Sequence, residues 1–318
     1  MTLNITVFGK GWLAQASDRR LSDPKGIAPP IDNSNKLIVV VAVDGTLLIT
    51  YTGVGAVRRS PSTSLVGLDL LLAEWLQDHG AAALSTDAVV AEVLEFANSM
   101  FPRFGDPCPH WFSAAGFVSG RNKGKLWAIH NVKTGSPSRG FTAFTSAAAP
   151  GDTVVTGAVP AVGQTTKRRL RARLKQVQSS DDVARALVDA IRESAESERG
   201  ETIGRDCIVA ALTSDGKCAV AGFSVEGEPL AISPTLLWST EAESVLVTGI
   251  TVTSTAYGVL FGTPSRQIEL LIGRMRGRLV NGPLPDGAIE AKFRIGKLGG
   301  GSNSAPAPRR LWSIHHVG

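Results

Sequence analysis

The chain has 318 residues, 43% of them hydrophobic and 19% charged, with a formal charge of +5. That balance suits a chain that buries a sizeable core and excludes an intrinsically disordered polymer. No apolar run reaches the roughly 18 residues of a membrane-spanning helix. Asn4, Thr6 and the Gly9-Lys10-Gly11 break interrupt any signal-peptide core, so a cytoplasmic location is expected.

Leu3, Ile5 and Val7 alternate with Asn4 and Thr6, the period of a half-buried strand over Leu3 to Phe8. Gly9 to Gly11 read as a turn and Trp12 to Ser17 as the returning strand. A Pro/Gly/Asn-rich loop spans Ser22 to Asn35. Lys36 to Val43 and Thr46 to Thr52 then flank an Asp44-Gly45 turn, followed by Gly53-Val54-Gly55. Leu65, Leu68, Leu72 and Trp75 predict a helix ending near Gly80, and a second helix, capped by Thr86 or Asp87, runs to Pro102. Strands are expected over 111–118, 126–132, 141–146 and 153–159. Helices follow over about 166–177 and 181–194, the latter capped by Ser179 or Ser180, and then a hairpin of 207–212 with 218–223.

The order is strands, two helices, strands, two helices, strands, without the alternation that builds a doubly wound parallel sheet. Two stacked antiparallel sheets, each covered by a helix pair, would bury every apolar face. The expected class is therefore α+β, a four-layer α/β/β/α sandwich over residues 1–227. Residues 228–318 form a C-terminal extension of unassigned role, with strand character over Glu243 to Phe261, a helical pattern over Ser265 to Leu279 and a linker-like Gly299 to Pro308.

Three cysteines without a CxxC pair indicate neither a disulfide framework nor a zinc site, and His315-His316 lacks further ligands, so neither metal nor cofactor is expected. The basic run Lys167 to Lys175 reads as a solvated helix face ahead of a nucleic-acid site.

The first hairpin carries the chemistry. If Gly9 to Gly11 form a three-residue loop, Phe8 pairs with Trp12 and Thr2 stands opposite Asp18, with Arg20 on the same face; a one-residue slip would replace Asp18 by Arg19. A threonine hydroxyl becomes a nucleophile when a base takes its proton, and a free α-amine on the same residue serves once Met1 is removed. A lysine nearby favours the alkoxide and a carboxylate holds that lysine; Lys36 is the candidate.

Thr2, the run Ala14-Gln15-Ala16-Ser17-Asp18-Arg19-Arg20, Lys36 and Tyr51-Thr52-Gly53-Val54-Gly55 together resemble the N-terminal half of a proteasome β-type subunit, a threonine-nucleophile Ntn hydrolase, and the order of elements matches over residues 2–225. The resemblance implies Thr2 as nucleophile, Asp18 and Lys36 as its catalytic partners, and Arg20 in support. It puts the oxyanion-hole amide near Gly53, with Gly55 as the alternative, and sets Thr156-Gly157 where the family has Ser-Gly. Gly200-Glu201-Thr202-Ile203-Gly204 stands where the family carries Asp-x-x-Ser-Gly-Gly. The implied function is a peptidase or amidohydrolase acting on peptide or amide substrates. The same resemblance implies a homo-oligomer, a ring among the forms it could take, and nothing in the residues supports an ATPase partner. The alternative is an inactive structural subunit of the same fold.

Overall fold

The computed structural model describes residues 2–22, 30, 34–58, 65–80, 84–104, 107–118, 123–214 and 218–223. Beyond these it describes the strand segments 230–232, 235–240, 243–247, 251–253, 267–270, 290–291, 293–296 and 312–316. The chain is α+β, with two seven-stranded sheets and four α-helices among the described residues.

The first sheet is centred on β1 (Leu3–Gly9), β2 (Trp12–Asp18), β10 (Thr153–Gly157), β11 (Cys207–Thr213) and β12 (Cys218–Phe223), in the order β10-β1-β2-β11-β12. The second runs β3 (Leu37–Ala42), β4 (Gly45–Thr52), β7 (Trp111–Val118), β8 (Gly124–Lys133) and β9 (Ser136–Ala148). A short hairpin of β5 (Ala56–Arg58) and β6 (Leu65–Gly67) precedes the first helix, so Leu65 to Gly67 are strand where the apolar spacing predicts helix.

α1 (Leu68–Asp78) and α2 (Thr86–Met100) cover the second sheet, burying Leu68, Leu72, Leu76, Val89, Val93 and Phe96 against Ile38, Val40, Leu47, Ile49, Phe112 and Trp127. The residue capping α2 is Ser85, not the expected Thr86 or Asp87, and its side chain accepts from the Ala88 N–H at 3.3 Å. α3 (Gln164–Leu174) and α4 (Ser180–Ala195) cover the first sheet, where Leu170, Val183, Leu187 and Ile191 meet Leu3, Ile5, Val7 and Val209. A Ser179/Asp182 capping box starts α4.

The other faces of the two sheets meet, β1, β2, β10 and β11 lying against β4 and β7. The Gln15 Nε2 donates to the Ser113 carbonyl across this gap at 3.1 Å. Strands after residue 228 lengthen both sheets. β14 (Thr235–Thr240) joins β3 in parallel and pairs with β15 (Glu243–Val247), while β20 (Trp312–His316) joins β12 in parallel and pairs with β18 (Glu290–Ala291). These two parallel pairings are exceptions to the expected all-antiparallel sheets.

The helix expected over Ser265 to Leu279 is corrected within the described residues. Gln267–Leu270 is a strand, β17, paired with β19 (Phe293–Gly296), and its alternation of Gln267 and Glu269 with Ile268 and Leu270 has the period of a strand. Residues 254–261, part of the expected strand region, lie outside the described residues, as does the linker-like stretch 299–308. No helix among the described residues is long and apolar enough to cross a membrane.

Candidate active site at the first hairpin

The hairpin register differs by one residue from the counted one. Gly9 pairs with Trp12, Phe8 with Leu13 and Asn4 with Ser17, leaving a two-residue turn, Lys10-Gly11, in which Gly11 takes φ +74°. That left-handed backbone is available to glycine at no steric cost, so the chain reverses one residue sooner than a three-residue loop would allow. Continued outward, the ladder sets Asp18 opposite Leu3 and not opposite Thr2, and the slip does not disperse the group.

Asp18 ends β2 fully buried. Its Oδ1 accepts the Leu3 N–H at 2.7 Å, and its Oδ2 accepts the Arg20 and Gly204 N–H groups, each at 3.0 Å. Lys36, just before β3 and also fully buried, approaches the same Oδ2 at 3.4 Å. Its ammonium donates to the Thr2 Oγ1 at 2.7 Å and to the Arg20 carbonyl. An ammonium has three donors, and three acceptors converge here. A carboxylate with three amide donors and an ammonium with three acceptors are compensated for the water each has lost. Because Lys36 donates to the hydroxyl oxygen, the Thr2 proton is left to be given elsewhere.

The remaining expected residues take different places. Arg20 meets the site through its backbone, while its guanidinium turns away to the Glu201 carbonyl at 3.1 Å. Thr156 lies on β10 opposite Asn4, where its hydroxyl accepts from Ser113 at 3.4 Å. Its neighbour Gly157, φ +87°, lies against Thr2: a Cβ there would stand 1.9 Å from the Thr2 carbonyl oxygen and 2.8 Å from the Thr52 methyl. The Ala158 N–H donates to that same carbonyl at 2.9 Å. Gly53 follows β4 with φ +100°, packed so tightly on Pro109 and His110 that a Cβ would sit 2.6 Å from the His110 Nδ1. The structure thus brings Thr2, Asp18 and Lys36 into one cluster, with the Arg20 backbone beside it and Gly157 behind it.

Four groups meet or flank this cluster, of which the resemblance marked the 200–204 stretch and the sequence reading did not place His110, Asn4 or Cys207. The 200–204 loop, almost two hundred residues downstream, delivers the Gly204 N–H to Asp18. His110 accepts the Val54 N–H on Nδ1 at 3.2 Å and stacks on Tyr51, so it fixes the turn containing Gly53. Burial holds its imidazole well below the ordinary histidine range, and it is neutral at pH 7. Asn4, two residues from Thr2 on the same strand, is buried with no hydrogen-bond partner for either amide atom among the described residues. Cys207, paired with Asp18 across β2 and β11, is a free thiol pushed far up by burial and then by the charge of Asp18.

The sequence matches no protein-family model and no curated protein. Among solved structures, the chain is similar to a Gly-1 mutant of Anbu from Hyphomicrobium sp. strain MC1, at 12% identity and a TM-score of 0.48, over 71% of this chain and 88% of that one. The helical assembly of the Anbu complex from Pseudomonas aeruginosa gives 16% identity and a TM-score of 0.47 over the same shares. Anbu from Yersinia bercovieri, described as an ancestral beta-subunit, gives 14% identity and a TM-score of 0.44, over 66% of this chain and 80% of that one.

Proposed function

We propose that the protein is an N-terminal-threonine amidohydrolase of the proteasome-like Ntn-hydrolase class, a four-layer sandwich that cleaves peptide or amide bonds once Met1 is removed. The observation that carries this reading is the 2.7 Å contact of the buried Lys36 ammonium with the Thr2 hydroxyl. A buried cation at that atom stabilises the alkoxide character that develops on attack.

In the proposed reaction the freed α-amine of Thr2 takes the hydroxyl proton while Oγ1 bonds to the amide carbonyl carbon. The N–H of Gly53 is the proposed donor to the resulting oxyanion. The amine then passes its proton to the leaving nitrogen, the C–N bond breaks, and an ester on Thr2 remains. Water adds to the ester carbonyl and gives a proton to the same amine; the bond between the acyl carbon and Oγ1 then breaks, the amine returns that proton to Oγ1, and the carboxylic acid leaves. Lys36 keeps its charge throughout, and Asp18 holds it in place.

A second reading, an inactive structural subunit, is favoured by one feature. The 200–204 loop meets Asp18, Arg20 and Ser22 through the Gly204 N–H and the Glu201 and Thr202 carbonyls, with no carboxylate or hydroxyl side chain directed at Thr2 in those contacts.

Intact-mass analysis after exposure to a β-lactone separates the two. The hydrolase reading expects loss of Met1 and one adduct on the wild type, and neither adduct nor amide hydrolysis with Thr2→Ala. A retained Met1 with no adduct supports the structural subunit, and full activity of Thr2→Ala defeats the proposed mechanism outright.

A further inference from the structure

β10 is the last strand of the first sheet, paired with β1 on one side and with no strand on the other among the described residues. An antiparallel ladder alternates between residues that bond their partner and residues whose backbone groups point away from it. The Ala158 N–H donates to the Thr2 carbonyl at 2.9 Å and the Phe8 N–H to the Asp152 carbonyl at 3.0 Å, which fixes the phase. Val154 and Thr156 therefore bond β1, while Thr153 and Val155 turn their N–H and C=O groups to the open edge.

The second sheet overhangs that edge. β10 lies against β7, so β8 and β9 continue beyond the last strand of the first sheet. Phe112, Trp127, Ile129 and Phe141 face α1 and α2. By alternation, Trp111, Leu126, Ala128, His130, Thr142 and Phe144 face the other way, toward the open side of β10. None of these six is a carboxylate, a lysine or an arginine. His130 stacks on Phe144 with ring centroids 5.1 Å apart and tilts against Trp111 at 5.6 Å, and Phe144 is 58% exposed. Edge and overhang are two walls of a groove, one offering backbone hydrogen bonds and the other a neutral aromatic surface.

The groove leads to Thr2. Trp111 pairs with Thr52, whose methyl lies against Gly157, and Gly157 lies against the Thr2 carbonyl at the end of β10. A strand added to an edge is slightly more stable antiparallel than parallel. Antiparallel to β10, it begins beside Gly157 and runs away from Thr2 toward Thr153, so its N-terminal end is the one near the nucleophile. That is the place of the residues that follow a scissile bond. We infer that β10 and the β8–β9 overhang bind the leaving side of a peptide substrate as an added strand, its alternate side chains, bulky apolar or aromatic, packing on Trp111, His130 and Phe144. Main-chain bonds to the edge supply the affinity and the alternate side chains the selection. The leaving-side assignment rests on the hydrolase reading, whereas the strand site does not.

Fluorescence anisotropy on full-length Thr2→Ala tests the site without cleavage, using a labelled peptide of about eight residues that alternates phenylalanine with threonine and ends in lysine for solubility. Val155→Pro removes an N–H that β1 does not use, so the sheet keeps its ladder, as circular dichroism should confirm. It should weaken binding at least about tenfold. Phe144→Ser should weaken the phenylalanine peptide by a similar factor and leave the weaker binding of its alanine counterpart unchanged. N-methylation of alternate peptide amides should abolish binding in one of its two phases and spare it in the other. Cleavage products of the wild type should carry the aromatic residues on the C-terminal side of the cut, a preference that Phe144→Ser removes. Binding by Thr2→Ala with no cleavage by the wild type defeats the hydrolase reading and leaves the strand site standing. No binding at about 1 mM peptide, or binding unchanged by Val155→Pro and by both methylated peptides, overturns the inference. An aromatic preference confined to the residues before the cut overturns the leaving-side assignment.

Discussion

Beneath α1 and α2, the second sheet packs Tyr51, Phe112, Trp127 and Phe141 against Phe96 of α2, an aromatic cluster with several edge-to-face ring contacts. Between the sheets, at the Thr2 end, stand Asn4, Thr6, Gln15, Ser17, Thr50 and Ser113, equally buried but polar and only partly hydrogen-bonded. One layer gains from removing apolar surface from water. The other gives up that gain to hold hydroxyls, amides and an ion pair in fixed places. The contrast predicts that substitutions in the outer layer act mainly on stability, whereas those in the inner layer act first on the geometry around Thr2.

The largest effect is expected in the outer layer. Phe112 is fully buried and touches the rings of His110, Phe101 and Phe96. Phe112→Ala should cost about 3–5 kcal/mol in urea unfolding. A loss below about 1 kcal/mol would mean that the aromatic layer is not the source of stability that its burial implies.

Lys36→Met probes the inner layer. It removes one partner of a fully buried pair, a change that typically costs about 3–5 kcal/mol. Asp18 keeps three amide donors in the variant, so the low end, about 3 kcal/mol, is expected. On the hydrolase reading, hydrolysis and β-lactone labelling should vanish together with the contact to Thr2. Retained labelling would show that the lysine is structural.

His110 joins the two layers, and its effect is read in pH. Its folded-state pKa is depressed by burial, while the unfolded chain protonates near 6.5. The unfolded state therefore binds more protons below about pH 6.5, and stability contributed by the neutral ring is lost as pH falls from there toward the folded-state value. Urea unfolding at several pH values should show a slope of at most about 1.4 kcal/mol per pH unit from this residue. His110→Gln, which offers an oxygen to the Val54 N–H, should flatten that slope. An unchanged slope would assign the acid sensitivity to other groups.

The outer layers were largely legible in the sequence. Leu3, Ile5 and Val7 alternate as strand residues do, and Val89, Val93 and Phe96 recur at helical spacing, because burial against one neighbouring element leaves a one-sided pattern. The inner layer was not. Asn4, Thr6, Gln15 and Ser17 alternate with apolar residues just as water-facing positions do, and periodicity cannot distinguish a polar layer between sheets from solvent. Counting the hairpin set Thr2 opposite Asp18 through a turn one residue too long, and the resemblance pointed to the same Thr2, Asp18 and Lys36, while the observed ladder sets Leu3 opposite Asp18. The Gly204 amide was out of reach of any local pattern, because a contact spanning 186 residues is set by the closure of the sheet.

The smallest effect should be the most discriminating. Thr50 is fully buried on the inner face of β4, and its hydroxyl has no partner among the described residues. Removing a paired hydroxyl from a protein interior costs about 1 kcal/mol, whereas replacing an unpaired one by a methyl group of nearly the same volume removes a desolvation penalty. Thr50→Val should therefore leave stability within about 0.5 kcal/mol of wild type or raise it. A loss above about 1 kcal/mol would mean that a buried water joins Thr50 to its surroundings.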